Sequence, residues 1–125
     1  MNIFAIRESV EYEGEFDFLY SATLKALLEG IVVHCETKMA ECETRINDIN
    51  AVWEKTGNEE MAEKFWKPQL AALKDKIDLF KELILLSLLI DDPTERDLDE
   101  LMTHHSEFAN CEVVQLELRE ETTNG

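Results

Sequence analysis

The sequence predicts an α+β fold that is mostly helical: a long antiparallel heptad helical hairpin plus a short third helix, packed with a small three-stranded antiparallel sheet made from both chain ends. Two stretches with apolar residues at alternating four- and three-residue spacing indicate the hairpin. Period-two alternation near both chain ends indicates the strands. We expect one domain over 1–119 and a flexible polar tail over 120–125.

The first element is predicted to be a β-hairpin over 2–20. Apolar residues alternate with mostly polar neighbours on both sides of a turn at Glu13-Gly14. These residues are Phe4, Ile6, Val10, Tyr12, Phe16, Phe18 and Tyr20. This period favours strands with one buried face.

Helix 1 is predicted over 21–56, with Ser21 as its N-cap and Gly57 as its stop. Its heptad has two seam positions. One is occupied by Leu28, Cys35, Cys42 and Ile49, and the other by Val32, Met39, Ile46 and Trp53. At 1.5 Å per residue the helix is roughly 50 Å long, so a partner must pack along it.

Helix 2 is predicted over 59–90, with Asn58 as its cap and a kink near Pro68, or a separate short piece over 59–66. It continues the heptad spacing through Trp66, Leu70, Leu73, Ile77, Phe80 and Ile84. The short connection between the helices predicts that they lie antiparallel.

The end of helix 2, Leu83 to Ile90, is apolar on every side except at Ser87. Such a helix end is typically buried on more than one face. We expect one face to meet helix 1 and another to meet the sheet or a second subunit.

Helix 3 is predicted over 93–107, with Asp92 as N-cap, Pro93 at the first position and Glu95 completing a capping box. Its apolar stripe is Leu98, Leu101, Met102 and His105. A last strand over 112–119 is predicted to join the N-terminal hairpin.

Negative charge is concentrated at the two chain ends. The formal charge is −16. Residues 1–20 carry one base and five acids, 21–90 nine bases and twelve acids, and 91–125 two bases and eleven acids. This balance argues against direct nucleic-acid binding and against docking on an anionic membrane. It favours a basic protein as partner.

Ten carboxylates from these end segments are the candidate partner-binding residues, called the acidic set below. They are Glu8, Glu11, Glu13, Glu15, Asp17, Asp97, Asp99, Glu100, Glu112 and Glu117. Two interpretations stay open. The set is either a solvated surface that keeps the protein soluble or a surface whose negative charge attracts a basic nucleic-acid-binding partner.

No catalytic motif is present, and we expect no enzyme activity, cofactor or metal. Acids and histidines at Asp97, Glu100, His104 and Glu107 have helical spacing, with His105 and Cys111 nearby, but no paired metal-ligand motif accompanies them. Cys35 and Cys42 lie on the predicted seam, where cysteine acts as a small hydrophobe. Three cysteines without close pairs predict no disulfide framework.

Aromatic residues cluster near the hairpin turn, at Trp53, Phe65 and Trp66. One interpretation is that they close the end of the helical seam. The other is a binding hot spot, because Trp is enriched at such sites.

In size, charge and lack of catalytic motifs, the chain resembles the small phage and mobile-element proteins that inhibit host defences, including anti-CRISPR and anti-restriction proteins that imitate DNA. The resemblance is one of class and carries no motif, so no functional residue is transferred. It implies a cytoplasmic, non-enzymatic inhibitor whose acidic surface occludes a basic groove of a nucleic-acid-handling complex. The alternative is a homodimeric coiled-coil structural or assembly protein.

The compartment is predicted from the N-terminus and the cysteines. The first residues, Met1 to Glu8, contain neither a basic leader nor a long apolar run. We therefore expect no signal peptide, and a cytoplasmic location with reduced thiols.

Overall fold

The computed structural model describes residues 2–103 and 105–117. The chain forms strands β1 (Asn2–Val10) and β2 (Gly14–Ser21), helix α1 (Leu24–Thr56), a second helix α2, helix α3 (Glu95–Thr103), a 3-10 turn (Ser106–Phe108) and strand β3 (Cys111–Glu117). Helix α2 consists of three joined segments: Glu59–Met61, a π-helical segment Ala62–Trp66, and Lys67–Leu88. The predicted fold class is confirmed.

The sheet has the order β2-β1-β3, and β1 pairs antiparallel with both neighbours. One face turns toward α1 and carries Ile6 with its cross-strand partners Leu19 and Val113. A β-bulge follows Ile6, and it leaves Phe18 without a partner on β1. The expected single face of Phe16, Phe18 and Tyr20 is therefore wrong, because the extra residue changes the side on which the later residues lie.

The turn between β1 and β2 occupies residues 11–13 rather than Glu13-Gly14 alone. Tyr12 and Gly14 both have positive φ values, 70° and 100°. Tyr12 therefore belongs to the turn and is 98% exposed, where period two predicted a strand residue.

Helix α1 begins later than predicted. Ser21 is the last residue of β2 and pairs with Phe4. Thr23 is the N-cap, since its Oγ1 accepts a hydrogen bond from the Ala26 amide at 3.1 Å. Gly57 ends the helix as predicted, with φ of 59°.

The two long helices form the hairpin through the predicted seam. Leu28, Cys35 and Cys42 on α1 are buried. Leu70, Ile77 and Phe80 on α2 are buried too, and Asn58 caps α2 through the Met61 amide. The remaining predicted seam residues are half-buried: Val32, Met39, Ile46, Ile49, Trp53, Trp66, Leu73 and Ile84.

The irregularity expected at Pro68 lies in the π-helical segment just before it, and α2 is not split. Proline has no amide hydrogen and clashes with the preceding turn of an α-helix. The wider π turn, in which the Lys67 amide donates to the Ala62 carbonyl, leads directly into this proline.

Helix α3 begins at Glu95, and its cap differs from the prediction. Thr94 Oγ1 accepts from the Asp97 amide at 3.1 Å, and Asp97 Oδ2 accepts from the Thr94 amide at 3.0 Å. The capping box therefore runs from Thr94 to Asp97 and not from Asp92 to Glu95. The helix ends at Thr103, four residues short of the predicted 107.

The main core lies where α1, α2, α3 and the sheet meet, which we call the sheet end of the molecule. Leu98, Leu101, Met102 and His105 are buried there, as the apolar stripe predicts. Strand β3 begins at Cys111, one residue before the prediction, while 118–119 and the predicted tail 120–125 lie outside the described residues.

Candidate functional site

The topology brings the described parts of the N-terminal and C-terminal segments to the sheet end of the molecule. The N-terminal segment supplies β1 and β2, and the C-terminal segment supplies α3 and β3. The acidic set therefore lies on the sheet, its turn and α3. It is spread along the sheet, since Glu117 pairs with Asn2 while Glu13 lies in the turn beyond Val10. Eight residues of strand separate these ends by about 27 Å.

Asp17 is paired inside the protein. On the sheet face that turns away from α1, Arg7 Nε donates to Asp17 Oδ1 at 2.7 Å and Nη2 donates to Oδ2 at 3.2 Å. The hydrogen bond from Arg7 lowers the pKa of Asp17. Glu15 lies 3.6 Å from the same guanidinium. These contacts join β1 to β2, so Asp17 is held by the sheet itself.

Asp97 and Asp99 on α3 have structural partners as well. Asp97 belongs to the capping box with Thr94. Asp99 Oδ1 accepts a hydrogen bond from the Val113 amide at 2.9 Å, although Val113 pairs with Ile6 on β1. The carboxylate therefore accepts a hydrogen bond from a backbone N–H on the unpaired edge of β3.

The rest of the acidic set is more open to solvent. Glu100 pairs with Arg96 on the exposed side of α3. Within residues 2–103 and 105–117, no cation lies within salt-bridge distance of the other five, which are Glu8, Glu11, Glu13, Glu112 and Glu117. Four of these five are exposed, and Glu8 is half-buried.

A polar cluster that the sequence analysis missed joins the 3-10 turn to the hairpin. Glu107 lies 4.0 Å from His34 Nε2 on α1 and 3.6 Å from Lys76 Nζ on α2. Its amide donates to His105 Nδ1 at 2.9 Å. Because α3 ends at Thr103, Glu107 does not continue the helical face of Asp97 and Glu100.

Both described histidines are packed among aromatic rings. His105 is 3% exposed and stacks on Phe80 with ring centroids 4.6 Å apart. His34 lies between Phe18 and Phe108, at 5.9 and 5.4 Å. Burial lowers the pKa of each imidazole below its ordinary value. Their environment therefore favours the neutral form.

The cysteines are buried or partly buried thiols. Burial is the largest cause that raises the pKa of Cys35 to about 12 and of Cys111 to about 11. Cys42 is buried on the seam. A thiol with a raised pKa is a poor nucleophile at neutral pH.

No described group of three or more His, Cys, Asp or Glu side chains has the geometry of a metal site. Glu107, one of the residues considered for such a site, instead faces the hairpin. His104 lies outside the described residues.

The aromatic residues at the hairpin tip are only partly brought together. Trp53 and Trp66 contact each other with ring centroids 6.2 Å apart, and the Lys67 ammonium lies 6.0 Å from the Trp53 ring. Phe65 is 51% exposed. The two tryptophans fit the closing role, whereas Phe65 points away from the seam.

The apolar end of α2 exposes several large hydrophobic side chains. Leu83 and Ser87 are buried, as expected for the face toward α1 and the core. The other face is not covered by the sheet, which packs on α1 and α3 instead. Four leucines there form what we call the leucine patch: Leu85 (63% exposed), Leu86 (36%), Leu88 (72%) and Leu89 (82%).

Two shallow grooves flank the leucine patch, and Ile90 lines both. The first, about 270 Å³, has Leu86, Leu89, Ile90 and Leu101 as its floor and Asp97 and Glu100 on its rim. The second, about 160 Å³, runs along α1 and includes Leu28, Val32 and Leu88, with Lys25 and Glu29 beside them. Small-molecule sites usually occupy ~300–1,000 Å³, so these grooves suit the side chains of a protein partner better than a cofactor.

Comparison of the chain with protein-family models, with curated proteins and with solved structures finds no match.

No helix in the described part of the chain has both the length and the apolar character needed to cross a membrane.

Proposed function

We propose that this protein is a non-enzymatic acidic protein-binding module whose partner is a basic, nucleic-acid-handling protein. The observation that supports the proposal is the placement of charge. Residues 1–20 and 91–125 together contribute −13 of the formal −16. The described parts of these segments, 2–20, 91–103 and 105–117, carry two bases and fourteen acids, net −12, and the sheet topology gathers them at one end of the hairpin. A surface of one sign steers an oppositely charged partner and raises its association rate.

Within this proposal, the five carboxylates without a described cation carry the long-range attraction. Asp17, Asp97 and Asp99 already serve the fold through hydrogen bonds. Glu11 and Glu13 in the turn, with Glu112 at the start of β3, lie at the same end of the sheet, because the Ser9 amide donates to the Asn110 carbonyl there. These three residues are the first to test.

The finer form of the proposal is an inhibitor of the anti-CRISPR or anti-restriction type, cytoplasmic and of phage or mobile-element origin. In this form the acidic end occupies a groove that otherwise holds nucleic acid. Duplex DNA then competes with the protein for its partner, and affinity falls steeply with salt.

The test begins with affinity purification of the tagged chain from its own cells and identification of the bound protein. Binding of that purified partner is then measured by calorimetry at several salt concentrations, for the wild type and for E11Q/E13Q/E112Q. We expect the variant to bind at least about tenfold more weakly at low salt, since each close charge pair contributes on the order of 1 kcal/mol or more.

The matched control is E36Q/E43Q/D48N, which removes the same charge from exposed positions of α1. We expect it to leave the affinity close to that of the wild type. Equal losses in the two variants, or a partner that is acidic and salt-insensitive, contradict the proposal. Failure of duplex DNA to compete contradicts only its finer form.

A homodimeric coiled-coil structural or assembly protein is the second candidate, and the exposed leucine patch favours it. The heptad seam is already filled within one chain, so a dimer would have to use the patch instead. Sedimentation equilibrium at rising protein concentration tests this candidate, and a stable dimer that Leu89→Ser disrupts would support it.

A further inference from the structure

The C-terminal end of α2 is closed by hydrogen bonds but not neutralised by charge: the Leu89 amide donates to the Leu86 carbonyl, and the Ile90 amide donates to the Ser87 carbonyl. No basic residue lies in its last turn, and the residue that follows the helix, Leu89, is in the right-handed helical conformation. Exposed Asp91 and Asp92 follow almost at once. A helix C-terminus carries about half a negative charge, so acids beside it are unfavourable.

Lys25 of α1 lines the second groove with Leu88 and Ile90, whereas the described residues that line the first groove include Asp97 and Glu100 but no basic residue. The first groove is therefore the one whose charge favours an added cation.

The C-terminal end of α2 also exposes large apolar side chains to solvent. Leu88 and Leu89 are 72% and 82% exposed, and both adjoin grooves with apolar floors. Contiguous apolar patches with a polar rim are typical of protein-binding surfaces. Apolar side chains and a negative field therefore coincide at one place.

We propose that the first groove, between the last turn of α2 and helix α3, binds an amphipathic helix whose apolar face is bordered by Lys or Arg. Apolar side chains of the partner lie on Leu86, Leu89 and Leu101. Its cations face Asp97 and Glu100 on the rim, together with Asp91 and Asp92, which follow α2 in the chain. This inference rests on the proposed function, because it names the docking surface and the chemistry of the basic partner. The mode is the insertion of a helix into a groove between helices.

A second copy of this chain suits the groove less well. Pairing two leucine patches would bring together two sheet ends, each of which carries the acidic set. It would also juxtapose the Asp91-Asp92 pairs and the negative C-terminal ends of both α2 helices. Like charges brought together in this way oppose association. A partner helix with basic residues would not introduce this repulsion between like charges.

The experiment uses the whole protein, labelled with ¹⁵N, and two synthetic probes of 14 residues. One is an amphipathic helix of Leu and Lys, and the other has the same apolar face with Glu in place of Lys. Amide shifts locate the bound peptide, and fluorescence anisotropy gives its affinity. We expect the Leu/Lys helix to bind and to shift the amides of Leu86, Leu89, Ile90 and Leu101, and the Leu/Glu helix not to bind.

The variants compare two exposed leucines of one helix. Leu89→Ser is expected to weaken binding of the Leu/Lys helix at least about tenfold, because it removes apolar area from the contact. Leu85→Ser is the control, since Leu85 is 63% exposed but lines neither groove. Asp91→Asn with Asp92→Asn is expected to weaken binding and to flatten its salt dependence. Circular dichroism verifies that each variant is folded.

Any one of the following results overturns the inference: no binding of the Leu/Lys helix at millimolar concentration, shifts centred on the turn at Glu11 and Glu13, or equal affinities for L89S and L85S. Self-association that L89S abolishes also overturns it, in favour of a second copy. The proposed function fails by a different result. If a basic partner loses affinity for E11Q/E13Q/E112Q but not for L89S, the function stands and the groove does not.

Discussion

Asp99 shows how one carboxylate can look like part of a binding surface in the sequence and have a structural role in the fold. Its charge and its position in an acidic end segment place it in the acidic set. In the structure it accepts a hydrogen bond from the Val113 amide, 14 residues further along the chain. Asp17 and Asp97 are engaged in comparable ways. No local pattern reveals the partners of Asp99 and Asp17, because each depends on which segments the fold brings together, whereas Asp97 belongs to a local capping box with Thr94.

Substitution of Asp99 tests this structural role. Asp99→Ala is expected to lower the free energy of unfolding by about 1–2 kcal/mol, since hydrogen bonds to charged groups are worth about 1.5–3 kcal/mol and this one is only partly buried. Urea unfolding measures the loss, and hydrogen exchange should show faster exchange of the Val113 amide. Glu100→Gln on the same helix is the control and should change stability by less than about 0.5 kcal/mol. An unchanged Val113 exchange rate would contradict the assignment.

Buried His105 and half-buried His34 make stability depend on pH. Their pKa values lie below the ordinary 6.5 mainly because burial disfavours the charged ring. As pH falls below 6.5, the unfolded chain binds protons that the folded chain does not. The contribution of these groups is therefore complete above pH 6.5 and is lost as pH falls through the window below it.

Urea unfolding at pH 7.5 and 5.5 checks this for the wild type and for H34Q/H105F, which keeps an aromatic ring beside Phe80. Carboxylates titrate in both proteins, so the difference between their pH slopes isolates the histidines. We expect the variant to lose less stability, or to gain more, on acidification. Identical slopes would contradict the prediction.

Among the elements, those defined by a repeating apolar period were predictable from the sequence. The heptads predicted both long helices and their antiparallel arrangement, because the period reports which face is buried. The caps were less predictable. Ser21 and Asp92 have the right chemistry, but Ser21 pairs with Phe4 in the sheet and Thr94 forms the box with Asp97. The end of a strand or loop decides which of several suitable residues becomes the cap.

The bulge in β2 and the exposure of the leucine patch were not predictable from the sequence, for a related reason. One extra residue after Asp17 reverses the faces of the strand, and a simple alternation does not indicate it. The apolar run at Leu83 to Ile90 predicts burial, but the sheet packs elsewhere. Coverage of a helix face depends on the placement of distant elements, which local sequence does not contain.

Gly30 within helix α1 and Gly57 at its C-terminal end are expected to respond to substitution by alanine with stability changes of opposite sign. Gly57→Ala should cost about 1 kcal/mol, because its φ is +59° and alanine disfavours that conformation. Gly30→Ala should gain roughly 0.5–1 kcal/mol, since a Cβ there would meet only Leu19 Cδ2 at an ordinary 3.8 Å. Thermal unfolding of both variants is the measurement. Two changes of the same sign would contradict the assigned backbone geometry.

At the scale of the whole molecule, 28 acids against 12 bases create self-repulsion that acts on the folded state. Raising NaCl from 10 to 300 mM is expected to raise the melting temperature, because salt screens exposed charges. At low salt, E11Q/E13Q/E112Q should raise the melting temperature more than E36Q/E43Q/D48N, since the first three lie in the more negative part. Equal increases in the melting temperature of the two variants would argue against a concentration of negative charge at the sheet end.

The central position of β1 has a consequence for synthesis on the ribosome. Its neighbour β2 follows at once, but β3 begins at Cys111, so about 100 residues must be translated before the second edge of β1 is paired. At translation rates of about 5–20 residues per second, this edge stays open for roughly 5–20 s. The acids along β1 and its turn then act as gatekeepers, because like charges discourage two nascent chains from pairing their open edges.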